Sequence, residues 1–386
     1  MSALRHLFRL PLLLVLVLLT GCIGLPPASP RPTQYTVYPG TTQTPTLLQT
    51  RDGLTLFGQW WLPPEETPRA VVLLLHGTAA HVGAYTPWAE FLNLHGYAMF
   101  AFDMRGWGQS QGFGRRAFVR SHDDYVQDLE QAYAEVTRKF PGVPIYLQGE
   151  SLGASVALQA SLKGGFPHKG LILNAAPVYV NLKVGPRMPN FMASSLVWIG
   201  GLPGRVMPNY PLFPMQYESV ERWIWKKAIT DEFSLREIRK DPYFTHTPIA
   251  AVYVTALGKG ASRIRKEAKN LRDPFIVLQG DQDHLVSPLS ADYLMYHAGS
   301  MDKTARRYPK MSHTTLHDTG RGEVWQDIVD WLDMRVPGAA GISQERRRLA
   351  REYARATPRE TADRLMPLLT APVPAPATPT PLVMAR

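Results

Sequence analysis

Short unbroken apolar runs recur along the chain, separated by stretches in which apolar residues return every three or four positions. The runs Ala70–Leu75, Tyr97–Phe102, the one beginning at Ile145, Leu171–Leu173, Asp273–Leu278 and Ala305–Tyr308 are too short for buried helices. They predict strands, the continuous ones covered on both faces as in a parallel sheet. Helical spacing falls between them: roughly Thr86–Leu94, then Asp123–Lys139 with Tyr125, Leu129, Tyr133 and Val136 on one face, and the Ala/Ser/Leu-rich run after Gly153. A closing helix is predicted over Val324–Met334, gathering Trp325, Ile328 and Trp331. Ahead of all these, Leu47–Trp61 splits at Asp52-Gly53 into two strands of a hairpin, ended by Pro63 and Pro64. Strands alternating with helices predict a doubly wound, mostly parallel α/β sheet whose ligands sit at the carboxyl ends of the strands.

Three regions break the alternation. Between about Pro177 and Tyr243, apolar and aromatic residues such as Phe191, Met192, Trp198, Ile199, Trp223 and Trp225 are punctuated by Pro and Gly. This predicts a helical cap inserted over the strand ends, apolar enough to suit an acyl chain. Residues 22–46 are rich in Pro and Thr and predict a tether, with ordered structure starting near Leu47. Beyond Val336 a tail predicts an Arg-rich helix over Gln344–Arg364, interrupted at Pro358, followed by a Pro/Ala/Thr run at Ala371–Pro381.

The chemistry begins where the Ile145 strand meets Gly149-Glu-Ser151-Leu-Gly153 and then a helix. Strand, Gly-x-Ser-x-Gly and helix together form a nucleophile elbow, a turn so sharp that the flanking residues must be small, leaving Ser151 Oγ exposed. A serine hydroxyl needs a base, and the base an orienting acid. Asp283 follows the strand ending at Leu278 and His313 follows the strand ending at Tyr308, in the order Ser, acid, His that this sheet topology uses. Asp281 and His317 are the nearby rivals. His76 and His81 also lie near strand ends, but His76-Gly77 reads as a structural loop. Two backbone N–H groups, of Leu152 at the helix start and of Thr78 after His76-Gly77, are the candidate oxyanion donors.

Composition narrows the classes. The 386 residues are 45% hydrophobic and carry a net charge of +10. No helix-turn-helix, ribonucleoprotein motif or finger spacing accompanies that charge, so an anionic surface is favoured over nucleic acid. The single cysteine removes any intramolecular disulfide framework and any Cys-based metal site. Its position is informative. Arg5 and Arg9 precede the apolar run Leu10–Leu19, which has the proportions of a secretory signal and ends in Leu19-Thr20-Gly21-Cys22. That sequence resembles a bacterial lipobox, which implies removal of residues 1–21, lipidation of Cys22 and membrane attachment in the cell envelope. Ile23 at the next position favours the outer membrane.

Several stretches taken together resemble one family. They are Leu75-His-Gly-Thr78 with His81, Phe102-Asp-Met-Arg-Gly-Trp-Gly-Gln-Ser110, Gly149-Glu-Ser-Leu-Gly153, Asp241-Pro242, Leu278-Gln-Gly-Asp-Gln-Asp283 and Met311-Ser-His313, spanning about Leu47 to Val336. The chain resembles an α/β-hydrolase of the monoacylglycerol lipase-like group, often labelled serine aminopeptidase-like. The resemblance implies an α/β-hydrolase fold with a cap, no cofactor, cleavage of monoacylglycerols or related single-chain esters, and the set Ser151, Asp283 and His313. Glu150 departs from the animal lipases, which carry His before the serine, and agrees with plant-type members. Neither tail belongs to the family pattern, and nothing in the sequence sets an oligomeric state.

Overall fold

The computed structural model describes residues 25–39, 44–180, 202–213, 217–338 and 342–363. The apolar run Leu10–Leu19, Cys22, the residues Phe191, Met192, Trp198 and Ile199 and the run Ala371–Pro381 lie outside the described residues.

Eight strands form one sheet: β1 (Thr46–Gln49), β2 (Thr55–Trp61), β3 (Val71–Leu75), β4 (Ala98–Phe102), β5 (Ile145–Glu150), β6 (Leu171–Asn174), β9 (Phe275–Gly280) and β10 (Lys303–Tyr308), in the order β1-β2-β4-β3-β5-β6-β9-β10. The β1–β2 hairpin turns through Asp52-Gly53, with Gly53 at φ +88°, and the Thr50 hydroxyl closes it by accepting the Leu54 N–H at 2.8 Å. β2 is antiparallel to β4, and every pair from β4 to β10 is parallel. The winding direction reverses between β3 and β5. The loops after those two strands therefore border a crevice, the place where open α/β sheets bind ligands.

One face of the sheet is covered by α2 (His122–Lys139), α3 (Leu152–Lys163) and α7 (Ala251–Glu267), the other by α1 (Thr86–Leu94), α9 (Arg321–Asp333) and α10 (Gln344–Arg355). Strands β3, β4 and β5 are buried along their whole length, which is why their sequences run apolar without alternation. Helices α5 (Glu218–Ala228) and α6 (Glu232–Lys240) lie in the inserted region, with the small pair β7 (Pro211–Phe213) and β8 (Ile249–Ala250), short α4 (Leu202–Val206) and α8 (Leu289–His297) completing the set.

Three findings depart from the sequence pattern. Residues 25–39 are packed on the domain instead of standing off as a tether. Tyr35 stacks on Phe57 at 5.7 Å, Trp61 Nε1 donates to Pro39 O at 3.1 Å, and Gln109 bonds both the N–H and the carbonyl of Thr36. The segment has no periodic pattern because, apart from one isolated bridge at Ala28–Phe113, glutamine side chains and tyrosine rings satisfy it. Helix α7 has no counterpart among the elements that the pattern predicts. Its small residues fit close packing: a Cβ on Gly260 would meet His122 at 2.8 Å and Gln159 at 3.0 Å. Third, the tail helix α10 is docked. Tyr353 stacks on Trp325 at 5.9 Å and its hydroxyl donates to Glu90 at 2.8 Å, while a Cβ on Gly322 would strike the Ala354 carbonyl.

Candidate active site

Ser151 sits between β5 and α3 at φ +52° and ψ −110°, a conformation that L-residues rarely adopt outside functional turns. The two glycines explain how the turn closes. A Cβ on Gly149 would lie 2.2 Å from the Gly153 carbonyl carbon, and a Cβ on Gly153 would lie 2.0 Å from Leu75 O of β3. The serine is tied to the neighbouring strand by its N–H, which donates to Asn174 O at 2.9 Å. Leu152, buried, is the first residue of α3, so its N–H has no intrahelical acceptor and lies at the positive end of the helix dipole.

Asp283 and His313 come from the loops after β9 and β10. His313 Nδ1 donates to Asp283 Oδ2 at 2.7 Å. The same carboxylate accepts Gln279 Nε2 at 3.0 Å and the Leu285 and Val286 N–H groups, both at 2.8 Å. These donors match an ionised carboxylate held in one orientation. Burial alone would pull the His313 pKa down, but the Asp283 charge and hydrogen bond outweigh it and hold the imidazole above its ordinary value. Ser151 and His313 line the same cavity, of about 980 Å³, together with Thr78.

The rivals are otherwise engaged. Asp281 pairs with Arg307 at 2.6 Å. Buried His76 has Nδ1 2.7 Å from Gly77 O and accepts the Met104 N–H on Nε2 at 3.0 Å, and burial drives its pKa down to about 4. It is a neutral strut for the β3 loop. His81 joins Tyr38 Oη and Asp241 Oδ2, each at 2.9 Å, fastening the N-terminal segment to the end of the cap.

Tyr85 and Tyr253, which the sequence pattern does not single out, join Glu150 and His317 around the serine. Tyr85 Oη accepts the Gly77 N–H at 3.0 Å and donates to Glu150 Oε2 at 2.6 Å, and His317 Nε2 reaches the same oxygen at 3.3 Å. Burial pushes Glu150 up, yet His317 and Tyr85 together hold it below the usual carboxylate range. Glu150 thus braces, through Tyr85, the peptide that leads to Thr78. The Thr78 hydroxyl is hydrogen-bonded to Tyr253 Oη of α7. Only the position of Glu150 beside the serine hinted at this network. Tyr85→Phe removes an acceptor and a donor at once, leaving buried groups unpaired, and is expected to lower kcat about tenfold with little change in KM. Steady-state kinetics on a soluble ester check this, and an effect confined to KM would sink it.

Over the site, the cap contributes Trp223, Ile224 and Trp225 of α5 and Phe233 and Ile238 of α6 to the cavity wall. Trp225 meets Phe244 edge-on at 5.5 Å. A serine hydroxyl at a strained strand-to-helix turn, an imidazole paired with a carboxylate and a largely apolar chamber make an arrangement suited to acyl transfer. Among the described residues no cluster of three or more His, Cys, Asp or Glu has the geometry to hold a metal ion.

Known proteins match most of this chain. Rat monoglyceride lipase is 28% identical over 287 residues, covering 74% of this chain and 89% of the lipase. Monoacylglycerol lipase of Mycolicibacterium smegmatis is 25% identical over 270 residues, covering 70% and 90%. The fold is shared with a soluble variant of monoglyceride lipase from Saccharomyces cerevisiae, with a TM-score of 0.66, 21% identity and coverage of 80% of this chain and 100% of that one. Monoacylglycerol lipase of Paleococcus ferrophilus gives a TM-score of 0.58 at 23% identity, covering 72% and 98%. The profile of the family described as serine aminopeptidase S33 (Hydrolase_4) matches residues 66–320. The chain belongs to this family, and it is a serine hydrolase with the α/β-hydrolase fold.

Proposed function

We propose that this protein is a membrane-anchored serine esterase that cleaves single-chain lipid esters, of monoacylglycerol or lysophospholipid type, through an acyl-enzyme. His313 Nε2 takes the proton of Ser151 Oγ as the oxygen attacks the ester carbonyl. Asp283 holds the imidazole through Nδ1 and stabilises the imidazolium. The N–H groups of Thr78 and Leu152 receive the charge that develops on the carbonyl oxygen. The imidazolium then protonates the departing alcohol, and the same base activates the water that releases the fatty acid.

The observation that carries the reading is one cavity: a largely apolar chamber of about 980 Å³ that contains both the elbow serine and the imidazole of the Asp283–His313 pair. Its size and lining suit an acyl chain better than a small polar ester. The names of the similar lipases point the same way. Attachment through lipidated Cys22 in the bacterial envelope rests on the lipobox resemblance, and it would bring the site to its substrates. No described helix is long and apolar enough to cross a membrane.

A series of p-nitrophenyl esters from acetate to palmitate tests the substrate class. We expect kcat/KM to rise through medium and long acyl groups; a maximum at acetate that falls steadily thereafter would favour a small-ester carboxylesterase instead. In the same cells, Cys22→Ala is expected to move the protein out of the membrane fraction, and its retention there would count against lipid attachment.

A further inference from the structure

The cavity that holds Ser151 also reaches a buried cation that the acyl-transfer chemistry does not use. Arg321 opens α9, four residues after His317, and both line the cavity. Arg321 is only 6% exposed. Its Nη2 donates to Thr361 Oγ1 at 2.6 Å and Thr357 O at 3.4 Å, and its guanidinium lies 4.8 Å from the Trp325 ring centroid. Nε is buried with no acceptor, and among the described residues no carboxylate is in ion-pair contact with the guanidinium, the Asp231 charge acting on it only from farther off. The acids nearby are committed elsewhere. Asp318 accepts Thr230 Oγ1 and the N–H groups of Thr230, Asp231 and Thr319, and Asp231 caps α6 through the Ser234 N–H at 2.7 Å. Burial lowers the Arg321 pKa to about 10, so the side chain still carries its charge at neutral pH.

A second unpaired group lines the same cavity. Thr86, 3% exposed at the start of α1, has a buried hydroxyl with no partner. Its helix continues to Trp88, whose ring lies 6.1 Å from that of Trp325, the ring under the Arg321 guanidinium. Pro358 and Ala362 of the tail close this part of the wall, beyond the residues that match the family profile. A charged guanidinium with no carboxylate partner at the wall of the cavity matches the oxygens of a phosphate.

We propose that Arg321 receives the phosphate of an anionic single-chain ester, so that the preferred substrate is of lysophospholipid type and not a neutral monoacylglycerol. This rests on the esterase reading above and names the head group it takes. Glu150, in the same cavity, would repel a phosphate placed beside the nucleophile, but its charge is engaged by Tyr85 and His317.

The test compares lysophosphatidylglycerol and monoacylglycerol of one acyl chain, using full-length protein in detergent micelles. Arg321→Gln is expected to lower the ratio of kcat/KM for the anionic over the neutral ester about tenfold. Inorganic phosphate is expected to inhibit neutral-ester hydrolysis competitively and to raise the Tm of the wild type, with both effects lost in Arg321→Gln. Thr361→Val, which removes one bond to the tail and leaves the charge, should keep the ratio. If Thr361→Val reproduces the Arg321→Gln ratio, or if Arg321→Gln lowers both esters equally, Arg321 only docks the tail and the proposal falls. Phosphate binding without a preference for the anionic ester would mark a free-phosphate site and overturn the head-group assignment. Hydrolysis of the neutral ester with no phosphate effect overturns this inference and leaves the esterase standing. Arg321-dependent stabilisation by phosphate without hydrolysis of either ester does the reverse.

Discussion

Ser151→Ala is expected to lower kcat for ester hydrolysis by about 10⁶-fold, leaving only what the N–H groups and the cavity supply without a nucleophile. The expectation follows from the turn. Ser151 is held at φ +52°, with Gly149 and Gly153 packed so closely that no alternative residue at those places could re-aim the chain. No other hydroxyl therefore takes its position when it is removed. A fluorophosphonate probe should label wild-type protein at Ser151, located by peptide mass mapping, and should leave the variant unlabelled. Stability provides a second readout from the same site. Alanine keeps the strained backbone whereas glycine relieves it, so Ser151→Gly, equally inactive, is expected to exceed Ser151→Ala in unfolding free energy by about 1 kcal/mol. Residual hydrolysis within about a hundredfold of wild type would remove Ser151 from the mechanism.

Asp283→Asn is expected to cost about 10⁴-fold in kcat, because an amide in place of the carboxylate turns the imidazole to the wrong tautomer and no longer stabilises its cation. The pH profile carries the sign. His313 acts as a base only when neutral, so kcat/KM of the wild type should fall as pH drops through a value above the ordinary imidazole pKa, where the Asp283 charge holds it. Without that charge, burial is the largest remaining influence and favours the neutral ring. The acid limb of the residual activity should therefore move to lower pH in Asp283→Asn. An unshifted limb would mean that some other group is the base, and His317, beside Glu150, would be the first to examine.

Much of this protein is determined by local sequence. The buried strands are legible because a strand covered on both faces must be apolar throughout, and β3 to β5 are. The elbow is legible because two glycines flank the serine for steric reasons that any chain would obey. Chain order and the place just past a strand lead to Asp283 and His313, and the structure sets Asp283 Oδ2 and His313 Nδ1 2.7 Å apart. What the sequence could not convey depends on residues brought together from far along the chain. Segment 25–39 has no periodicity of its own and is held by Gln59, Gln109 and aromatic rings. Tyr85 became part of the site only when folding set it between Gly77 and Glu150. Arg321, at the head of a helix that reads as ordinary core, joined the cavity only because α9 and the tail close over one side of it. Periodicity records which face of an element is buried, and steric motifs record a turn. Neither records which distant polar group will face which, and that pairing was decided by the tertiary packing of the loops and termini around the carboxyl ends of the strands.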